Sequence, residues 1–274
     1  MNSRGFTLVE LLVGTVVMAI LGVALVRMLM SDSRFVSQQD AMMVARQTSR
    51  GALNMMSVEL RMITDGGLVA ARRDSVRAFI PYAFGVACAK TSSGQIVAAL
   101  VPPDSLTYAS AVVGGFAWQD STGAYQTVSG VSVTGSASAN TCAADSVFVV
   151  PGGKLVTISG ISGPEPDPGT ILYLYQDISY RFGGSIELPG RIALWRRVGW
   201  VYEELAAPFD TAAKFRCLVG PQLTVVDCPP SGGLDEVRGL ELVLVGASDL
   251  APHGSTEPAT FDLTTRIAFL NTVD

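Results

Sequence analysis

The sequence predicts an α+β protein in which one long N-terminal helix, half transmembrane and half amphipathic, packs on an antiparallel β-sheet. Two observations carry this prediction. The first proline is Pro81 and the first clear stop is the Asp-Gly-Gly turn at residues 65–67, so one helix can run from Phe6 to about Thr64. Beyond this turn, apolar residues alternate with a period of two in short runs separated by Gly, Pro and Asp, which is typical of strands.

The first part of the helix is long and apolar enough to cross a membrane. Residues 6–26 contain one charge, Glu10, and would form a helix roughly 32 Å long, close to a hydrocarbon thickness of about 30 Å. Because Arg4 precedes this run, the positive-inside tendency predicts a cytoplasmic N-terminus and an exported remainder. A cleaved secretory signal and a plain signal anchor are the alternatives, but the former usually has a shorter apolar region. Neither explains a glutamate inside the apolar run.

The second part of the helix, residues 31–66, is amphipathic. Phe35, Met42, Met56 and Ile63 recur at multiples of seven residues, and other apolar side chains flank the same stripe. We expect this methionine-rich stripe to pack against the sheet rather than to bind a cofactor.

Residues 67–274 are predicted to form a β-rich exported domain. Within it, Val237, Leu240, Leu242 and Leu244 come close to one face of a strand. Residues 83–145 are rich in Ala, Ser, Thr and Gly, and we interpret them as an insertion of irregular strands and loops. The segments that read as strands are residues 75–82, 146–151, 154–160, 170–182, 191–198, 200–205, 240–246 and 265–271.

Composition and isolated polar residues give little support to catalysis or metal binding. The net charge of −5 argues against a protein that holds nucleic acid by bulk neutralisation of phosphates. His253 is the single histidine and lies in a segment rich in turn formers, so we expect a solvated loop residue. Glu165 and Asp167 are too few to predict a calcium site, and a stiff proline loop explains their segment better. We therefore expect no enzyme activity, no cofactor and no metal.

One segment mixes arginines with aromatic residues. Residues 191–205 read Arg-Ile-Ala-Leu-Trp-Arg-Arg-Val-Gly-Trp-Val-Tyr-Glu-Glu-Leu, a pattern that could grip single-stranded nucleic acid by charge and stacking. The favoured interpretation is a hairpin about Gly199, in which Glu203 and Glu204 partly balance the arginines at positions 191, 196 and 197.

The stretch Arg-Gly-Phe-Thr-Leu-Val-Glu-Leu-Leu-Val at residues 4–13 resembles the class III signal of type IV pilins and type II secretion pseudopilins. The resemblance implies that a prepilin peptidase cuts between Gly5 and Phe6 and that the new N-terminal Phe6 is methylated. It also implies that Glu10 is the family's assembly glutamate, which pairs with the N-terminal amine of a neighbouring subunit. Residues 1–5 would then be a leader and residues 6–30 a transmembrane and assembly helix. A simpler alternative is that the side chain of Glu10 only extends to the cytoplasmic interface of the membrane.

Several later segments resemble the strand order of PilW-type minor pilins and GspJ-type pseudopilins. These are Tyr-Arg-Phe at residues 180–182, Ala-Leu-Trp-Arg-Arg-Val-Gly at residues 193–199, Val-Arg-Gly-Leu-Glu-Leu-Val-Leu-Val at residues 237–245, and the closing segment at residues 260–271. The resemblance implies a pilin-like fold and a non-catalytic subunit that initiates or caps a type IV pilus or a type II secretion pseudopilus. The alternatives are a pilus-displayed adhesin or DNA-uptake receptor and, third, an enzyme carried on a pilin stalk.

The resemblance also implies partners and a location. The partners are a prepilin peptidase, other minor and major pilins or pseudopilins, the inner-membrane assembly platform, and membrane lipid before assembly; nucleic acid is not expected. The protein would lie in the inner membrane with a cytoplasmic N-terminus and a periplasmic C-terminal domain, and then at the tip of a pilus or pseudopilus.

The four cysteines are expected to form disulfides in this exported domain, where such bonds persist. Four cysteines allow three pairings. We prefer Cys217 with Cys228, which closes a short loop containing Gly220-Pro221, and this leaves Cys88 with Cys142.

Overall fold

The computed structural model describes residues 8–92, 94–135, 142 and 147–270, with the backbone alone described at residues 89–92. Its long helix α1 (Leu8–Leu60) packs against a large antiparallel sheet, which confirms the predicted α+β architecture. The described part of the sheet contains β1 (Leu68–Ala71), β2 (Ser75–Ser92), β3 (Gln95–Leu100), β4 (Gly115–Gln119), β5 (Tyr125–Ser129), β6 (Ser132–Gly135), β7 (Lys154–Ser159), β8 (Ile171–Gly184), β9 (Ile192–Val198), β10 (Val201–Phe209), β11 (Lys214–Val219), β12 (Thr224–Asp227), β13 (Val237–Ala247) and β14 (Thr260–Ala268).

Two short helical elements complete the described chain. Helix α2 (Pro102–Thr107) follows β3, and a single turn of 3₁₀ helix (Leu234–Glu236) precedes β13. The order of the main strand path is β12-β11-β13-β10-β9-β8-β2-β3-β7-β6. In addition, β1 pairs with β2, β14 with β13, β4 with β8, and β5 with β4.

The long strands β2 and β8 join two parts of the sheet, each with its own core. Residues 75–86 of β2 pair with β8, and the rest of β2 continues past the helix to pair with β3. The core beneath α1 includes Met56, Tyr180, Phe215 and Leu242. The second core lies among β2, β3, β4, β7 and β8 and includes Ile96, Phe116, Ile158 and Leu174.

Residues 83–135 are more regular than the sequence analysis predicts. They extend the same antiparallel sheet through the second half of β2 and through β3–β6, with register irregularities where β2 pairs with β3. The short side chains of Ala and Gly hide the alternation of buried and exposed positions that marks a strand. Residues 136–141 and 143–146 lie outside the described residues.

The strand predicted at residues 146–151 is also wrong over residues 147–150, which form no strand. Val147 and Val149 pack beside the disulfide of Cys88 and Cys142, whereas Phe148 is 83 % exposed. Both edges of the following strand β7 are occupied, by β3 and by β6. Residues 147–150 therefore have no free edge of β7 to pair with, and only Val147 and Val149 on one side of this segment are packed against the domain.

The helix docks through small side chains rather than through the predicted methionine stripe alone. Met56 and Ile63 are buried as predicted, but Phe35 is 62 % exposed, so the prediction fails at this position. The buried face of α1 begins only at residue 41 and consists of Ala41, Ala45, Thr48, Ser49, Ala52, Met56 and Leu60. Small residues let the helix axis approach the sheet closely.

The closest approach of α1 to the sheet is at Gly246 in β13. A Cβ atom added at Gly246 would lie 2.5 Å from Oγ of Ser49 and still nearer to the carbonyl oxygen of Ala45. The amide of Gly246 donates to Oγ of Ser49 at 2.9 Å. The Ser49 hydroxyl in turn lies 3.2 Å from the carbonyl oxygens of Leu244 and Phe261, to which it can donate. Backbone and hydroxyl groups at this buried contact thus satisfy one another.

A second polar contact fixes the C-terminal end of α1. The carboxylate of Glu59 accepts two hydrogen bonds from Arg196 of β9, at 2.6 Å and 3.2 Å, and a third from the hydroxyl of the buried Tyr180. Burial, and after it the charge of Glu59, raises the pKa of Tyr180, so the hydroxyl stays protonated and donates. Burial lowers the pKa of Arg196, but Glu59 raises it, and the net shift is upward. The helix is therefore tied to β8 and β9.

The cysteines form two disulfides in the structure. Cys217 of β11 bonds to Cys228, just after β12, with 5.4 Å between their Cα atoms, so this bond closes the β11–β12 hairpin. Cys88 bonds to Cys142 with a Cα separation of 4.9 Å. This is the pairing that the sequence analysis prefers.

We expect Gly246→Ala to destabilise the protein by about 1–3 kcal/mol, because the added methyl group has no space against the helix backbone. The measurement is urea unfolding of the detergent-solubilised full chain, followed by tryptophan fluorescence. Gly184→Ala is the matched control in the same sheet, since nothing lies within 4 Å of its Cβ position, and it should change the free energy of unfolding by less than about 1 kcal/mol. Equal destabilisation by both variants would contradict the close approach described above.

Candidate assembly interface

The first half of α1 stands clear of the sheet. All residues from 8 to 36 are exposed, including long apolar side chains such as Leu11, Val17 and Leu25. Among the described residues, α1 is the one helix that is long and apolar enough, by length and composition, to cross a membrane. Such a large apolar surface requires either lipid or other protein to cover it.

Polar groups are few within residues 8–30 of this exposed half. The hydroxyl of Thr15 donates to the carbonyl oxygen of Leu12 at 2.9 Å, so it is satisfied by its own helix. Glu10 lies in the first turn of α1 and is exposed, and the next charge along the helix is Arg27. These two charges are separated by about 26 Å along the helix axis and bracket an uncharged apolar surface.

Glu10 is the chemically distinctive residue of this surface. Placing a carboxylate in the centre of a bilayer is unfavourable by about 2.5–3.5 kcal/mol on insertion scales, so a cationic or hydrogen-bonding partner becomes valuable there. Its place in the first turn also favours a negative charge through the helix dipole. The predicted cleavage residues Gly5 and Phe6 lie outside the described residues, so the structure does not place them next to Glu10.

The boundary between the exposed and docked halves of α1 is marked by the β13–β14 loop. The amide of His253 in this loop donates to Oγ of Ser37 at 3.0 Å, and Gly254 lies against the side chain of Arg34. His253 itself is exposed, as expected for a loop histidine. From Ala41 onward, the helix is covered by the sheet.

Other candidate residues are distributed elsewhere. Glu165 accepts a hydrogen bond from the amide of Gly94 at 2.8 Å, which gives it a structural role in a loop contact. The described residues contain no group of three or more His, Cys, Asp or Glu side chains that could hold a metal ion. Gly199 and Trp200 form the two-residue loop between β9 and β10, which confirms the predicted hairpin, and the positive φ of Gly199 suits glycine there.

The structure separates the three arginines of this hairpin. Arg196 faces the helix and pairs with Glu59, whereas Arg197 points to the opposite side of the sheet because side chains alternate along a strand. Arg191 donates to the carbonyl oxygen of Asp249 at 2.9 Å. Glu203 lies opposite Arg196 in the hairpin register, and Glu204 accepts hydrogen bonds from Ser185 and the amide of Ile186.

The sequence analysis missed the residues that hold α1 against the sheet. Ser49, Gly246 and Glu59 carry the closest contacts between α1 and the sheet. The Ala and Ser residues at positions 41, 45, 49 and 52 recur at helical spacing, and this pattern is visible in the sequence as a signal for close packing. No local pattern indicates that Glu59 meets a residue 137 positions away.

Comparison with known proteins adds one finding. The family model described as the prokaryotic N-terminal methylation motif matches residues 1–26, which include Gly5, Phe6 and Glu10. Searches of curated proteins and of solved structures find no match. The chain thus carries a prepilin-type signal like that of type IV pilins, on the same helix whose first half is exposed and apolar. Such a signal implies processing by a prepilin peptidase and assembly with other pilins.

Proposed function

We propose that this protein is a minor pilin or pseudopilin, a non-catalytic subunit that helps to initiate or cap a type IV pilus or a type II secretion pseudopilus. The observation that carries the proposal is the division of α1. Its first half bears the methylation motif and an uncovered apolar surface, while its second half is docked on a folded domain. A subunit with this division can leave the membrane by exchanging lipid for the helices of neighbouring subunits.

The proposed topology has a cytoplasmic N-terminus, one transmembrane segment and a periplasmic domain. Arg4 ahead of the apolar run supports this orientation. The two disulfides support it as well, because such bonds persist in oxidising compartments outside the cytoplasm. Before assembly, the exposed half of α1 contacts membrane lipid, and the inner-membrane assembly platform then moves the subunit into the filament.

The proposed processing step creates the partner for Glu10. Cleavage after Gly5 leaves a cationic amine on Phe6, which is then methylated. In a packed filament, the amine of one subunit pairs with Glu10 of its neighbour, so the pair fixes the axial register of an incoming subunit. This pairing offsets the unfavourable free energy of a carboxylate in an apolar environment.

The size and shape of the domain support a minor rather than a major subunit. The sheet extends well past the helix through β3–β7 and carries a second core there. A major subunit repeats along the whole filament, where such an extension would crowd its neighbours, whereas a tip subunit has free space on one side. The strand segments that resemble PilW-type and GspJ-type subunits favour the same role.

Cleavage after Gly5 is the first testable prediction of the proposed function. In cells with a matching prepilin peptidase, intact-mass and peptide mass spectrometry should find a mature and methylated Phe6 N-terminus. Gly5→Leu should leave the full precursor in the membrane. Gly14→Leu is the matched control, because its Cβ position is open and it lies beyond the cleavage site, so this variant should be processed normally. A wild-type protein that keeps Met1, or is cut after the apolar run, would overturn the prepilin assignment.

The second prediction concerns the role of Glu10 in the axial register of subunits in the filament. Glu10→Ala should insert in the membrane as well as the wild type, since an intramembrane charge has been removed, but its incorporation into filaments should fall roughly tenfold in competition. Quantitative mass spectrometry of sheared filaments from cells that express both forms measures the ratio. Asp32→Ala, which removes an exposed carboxylate after the apolar run of the same helix, serves as the control and should compete normally. Equal incorporation of wild type and Glu10→Ala would remove the assembly role of Glu10.

The third prediction separates a minor from a major subunit. An epitope tag added after Asp274 should label isolated filaments at one end or at rare positions when viewed by immunogold electron microscopy. The same tag on the most abundant filament subunit gives the continuous pattern for comparison. Continuous decoration by the tagged protein would make it a major subunit, and absence from all filaments would exclude incorporation.

A further inference from the structure

The face of the sheet opposite α1 carries a cavity of about 550 Å³ that we call the arginine groove. Tyr180 of β8 points to the helix, so its neighbours Ser179 and Arg181 lie on the opposite face. Ser179 sits between Arg77 of β2 and Arg197 of β9 in the strand register. Small residues line part of this cavity, namely Ser75, Ser179, Gly183 and Gly184, and longer side chains such as those of the arginines and Trp195 also line it.

The groove is lined by four arginines, Arg72, Arg77, Arg181 and Arg197, and by no Asp or Glu. Arg77 pairs with Asp177 just outside the groove, with 2.8 Å between Nε and Oδ1. Among the described residues, the other three arginines have no carboxylate within salt-bridge distance. This is a strong local excess of positive charge in a chain whose net charge is −5.

Arg197 also has a hydrogen-bond donor that lacks a partner. Nε of Arg197 is buried and has no hydrogen-bond partner in the described part of the structure. Leaving a buried polar donor without a partner is unfavourable by about 1–3 kcal/mol and more for a charged group, so the described residues alone do not fully stabilise the charge of Arg197. The two carboxylates closest in sequence do not supply it: Glu203 lies opposite Arg196 in the strand register and so on the other face, and Glu204 accepts hydrogen bonds from Ser185 and the amide of Ile186.

Aromatic side chains border the same surface. Trp195 lies beside Gly183, and its ring N–H donates to the carbonyl oxygen of Gly184 at 3.1 Å. The guanidinium of Arg197 lies 5.9 Å from the ring centre of Tyr202. Next to Tyr202, Trp200 at the tip of the β9–β10 hairpin is 93 % exposed. The surface therefore offers planar apolar contacts within reach of unneutralised arginines.

We propose that the arginine groove binds a short acidic segment of a partner protein, with at least two carboxylates beside an aromatic or apolar residue. Guanidinium groups pair with carboxylates in a bidentate manner, and clusters of arginines are a recurrent means of recognising acidic motifs. The size of the cavity suits a segment of a few residues. A long nucleic acid suits it less, because phosphates outside the groove would face a molecule with net negative charge.

This site shares no residue with the exposed half of α1. It would give the protein a second contact, made by the folded domain and independent of helix packing. Its failure and the failure of the proposed assembly role can therefore be observed separately.

The test uses the full-length protein in detergent and a fluorescein-labelled peptide, Glu-Trp-Glu-Glu-Trp-Glu, with the isosteric Gln-Trp-Gln-Gln-Trp-Gln as the neutral probe. Fluorescence anisotropy should show binding of the acidic peptide alone, and the affinity should weaken as salt rises from about 50 to 300 mM. The double variant Arg181→Gln/Arg197→Gln should bind roughly tenfold more weakly or worse. Arg50→Gln/Arg61→Gln, which removes two exposed arginines of the helix region, changes the net charge equally and should bind as the wild type does.

A second measurement on the wild type keeps the proposal testable if the double variant folds poorly. A benzophenone-bearing form of the acidic peptide should crosslink to residues of β2, β8 or the β9–β10 hairpin, as mapped by peptide mass spectrometry. Crosslinks confined to other segments, equal binding of the neutral peptide, or equal loss in the Arg50/Arg61 control would overturn the proposal. Tighter binding of an oligothymidylate of the same formal charge would also overturn it, in favour of nucleic acid.

Discussion

The close approach of α1 to β13 is the contact on which the rest of the molecule depends. Because Gly246 has no side chain, the helix backbone can lie directly against the sheet at this position. The hydroxyl of Ser49 forms hydrogen bonds with the backbone of β13 there. At this distance the carboxylate of Glu59, ten residues further along the helix, reaches Arg196 and Tyr180. The preceding half of the same helix continues from this docked segment without a break and is exposed throughout residues 8–36.

The sheet divides its charges between two faces. On the helix side, Arg196 is neutralised by Glu59 and shielded by Tyr180. On the other side, Arg181 and Arg197 are left with aromatic neighbours and without an ion pair among the described residues. Adjacent residues of one strand thus serve opposite purposes, since alternate side chains of a strand point to opposite faces. One arginine holds the fold together, and its neighbour is available for binding.

The sequence predicts the parts of the fold that repeat a long apolar pattern. The continuous helix and the strands β7–β10, β13 and β14 follow from the spacing of large apolar residues, because burial of one face requires that spacing. Val237, Leu240, Leu242 and Leu244 are buried in the core beneath α1, as their alternation predicts. The hairpin about Gly199 follows from the same pattern and from the turn chemistry of glycine.

The remainder depends on partners that are distant in sequence. Strand β11 (Lys214–Val219) is not among the predicted strands, although Lys214 and Arg216 alternate with Phe215 and Cys217. Phe215 and Cys217 are buried in the core beneath α1, where Phe215 packs against Phe182, a residue distant in sequence. The same limit applies to the candidate site. The motif at Gly5, Phe6 and Glu10 is local and can be recognised from the sequence, whereas the counterion of Arg196 lies on a helix that the chain leaves more than a hundred residues earlier.

The small-residue face of α1 has a mechanical consequence. Residues 41–60 lie along the sheet over about 30 Å, and they continue without a break into the apolar half of the helix. A pull applied to that half along the helix axis would act on the contacts at Ser49, Met56 and Glu59 in shear, so that they resist together rather than yield one after another. Sliding by one turn would separate Gly246 from Ser49 and Glu59 from Arg196, so both hydrogen-bonded contacts would be lost together. Movement of the helix along the sheet therefore requires several contacts to break at once.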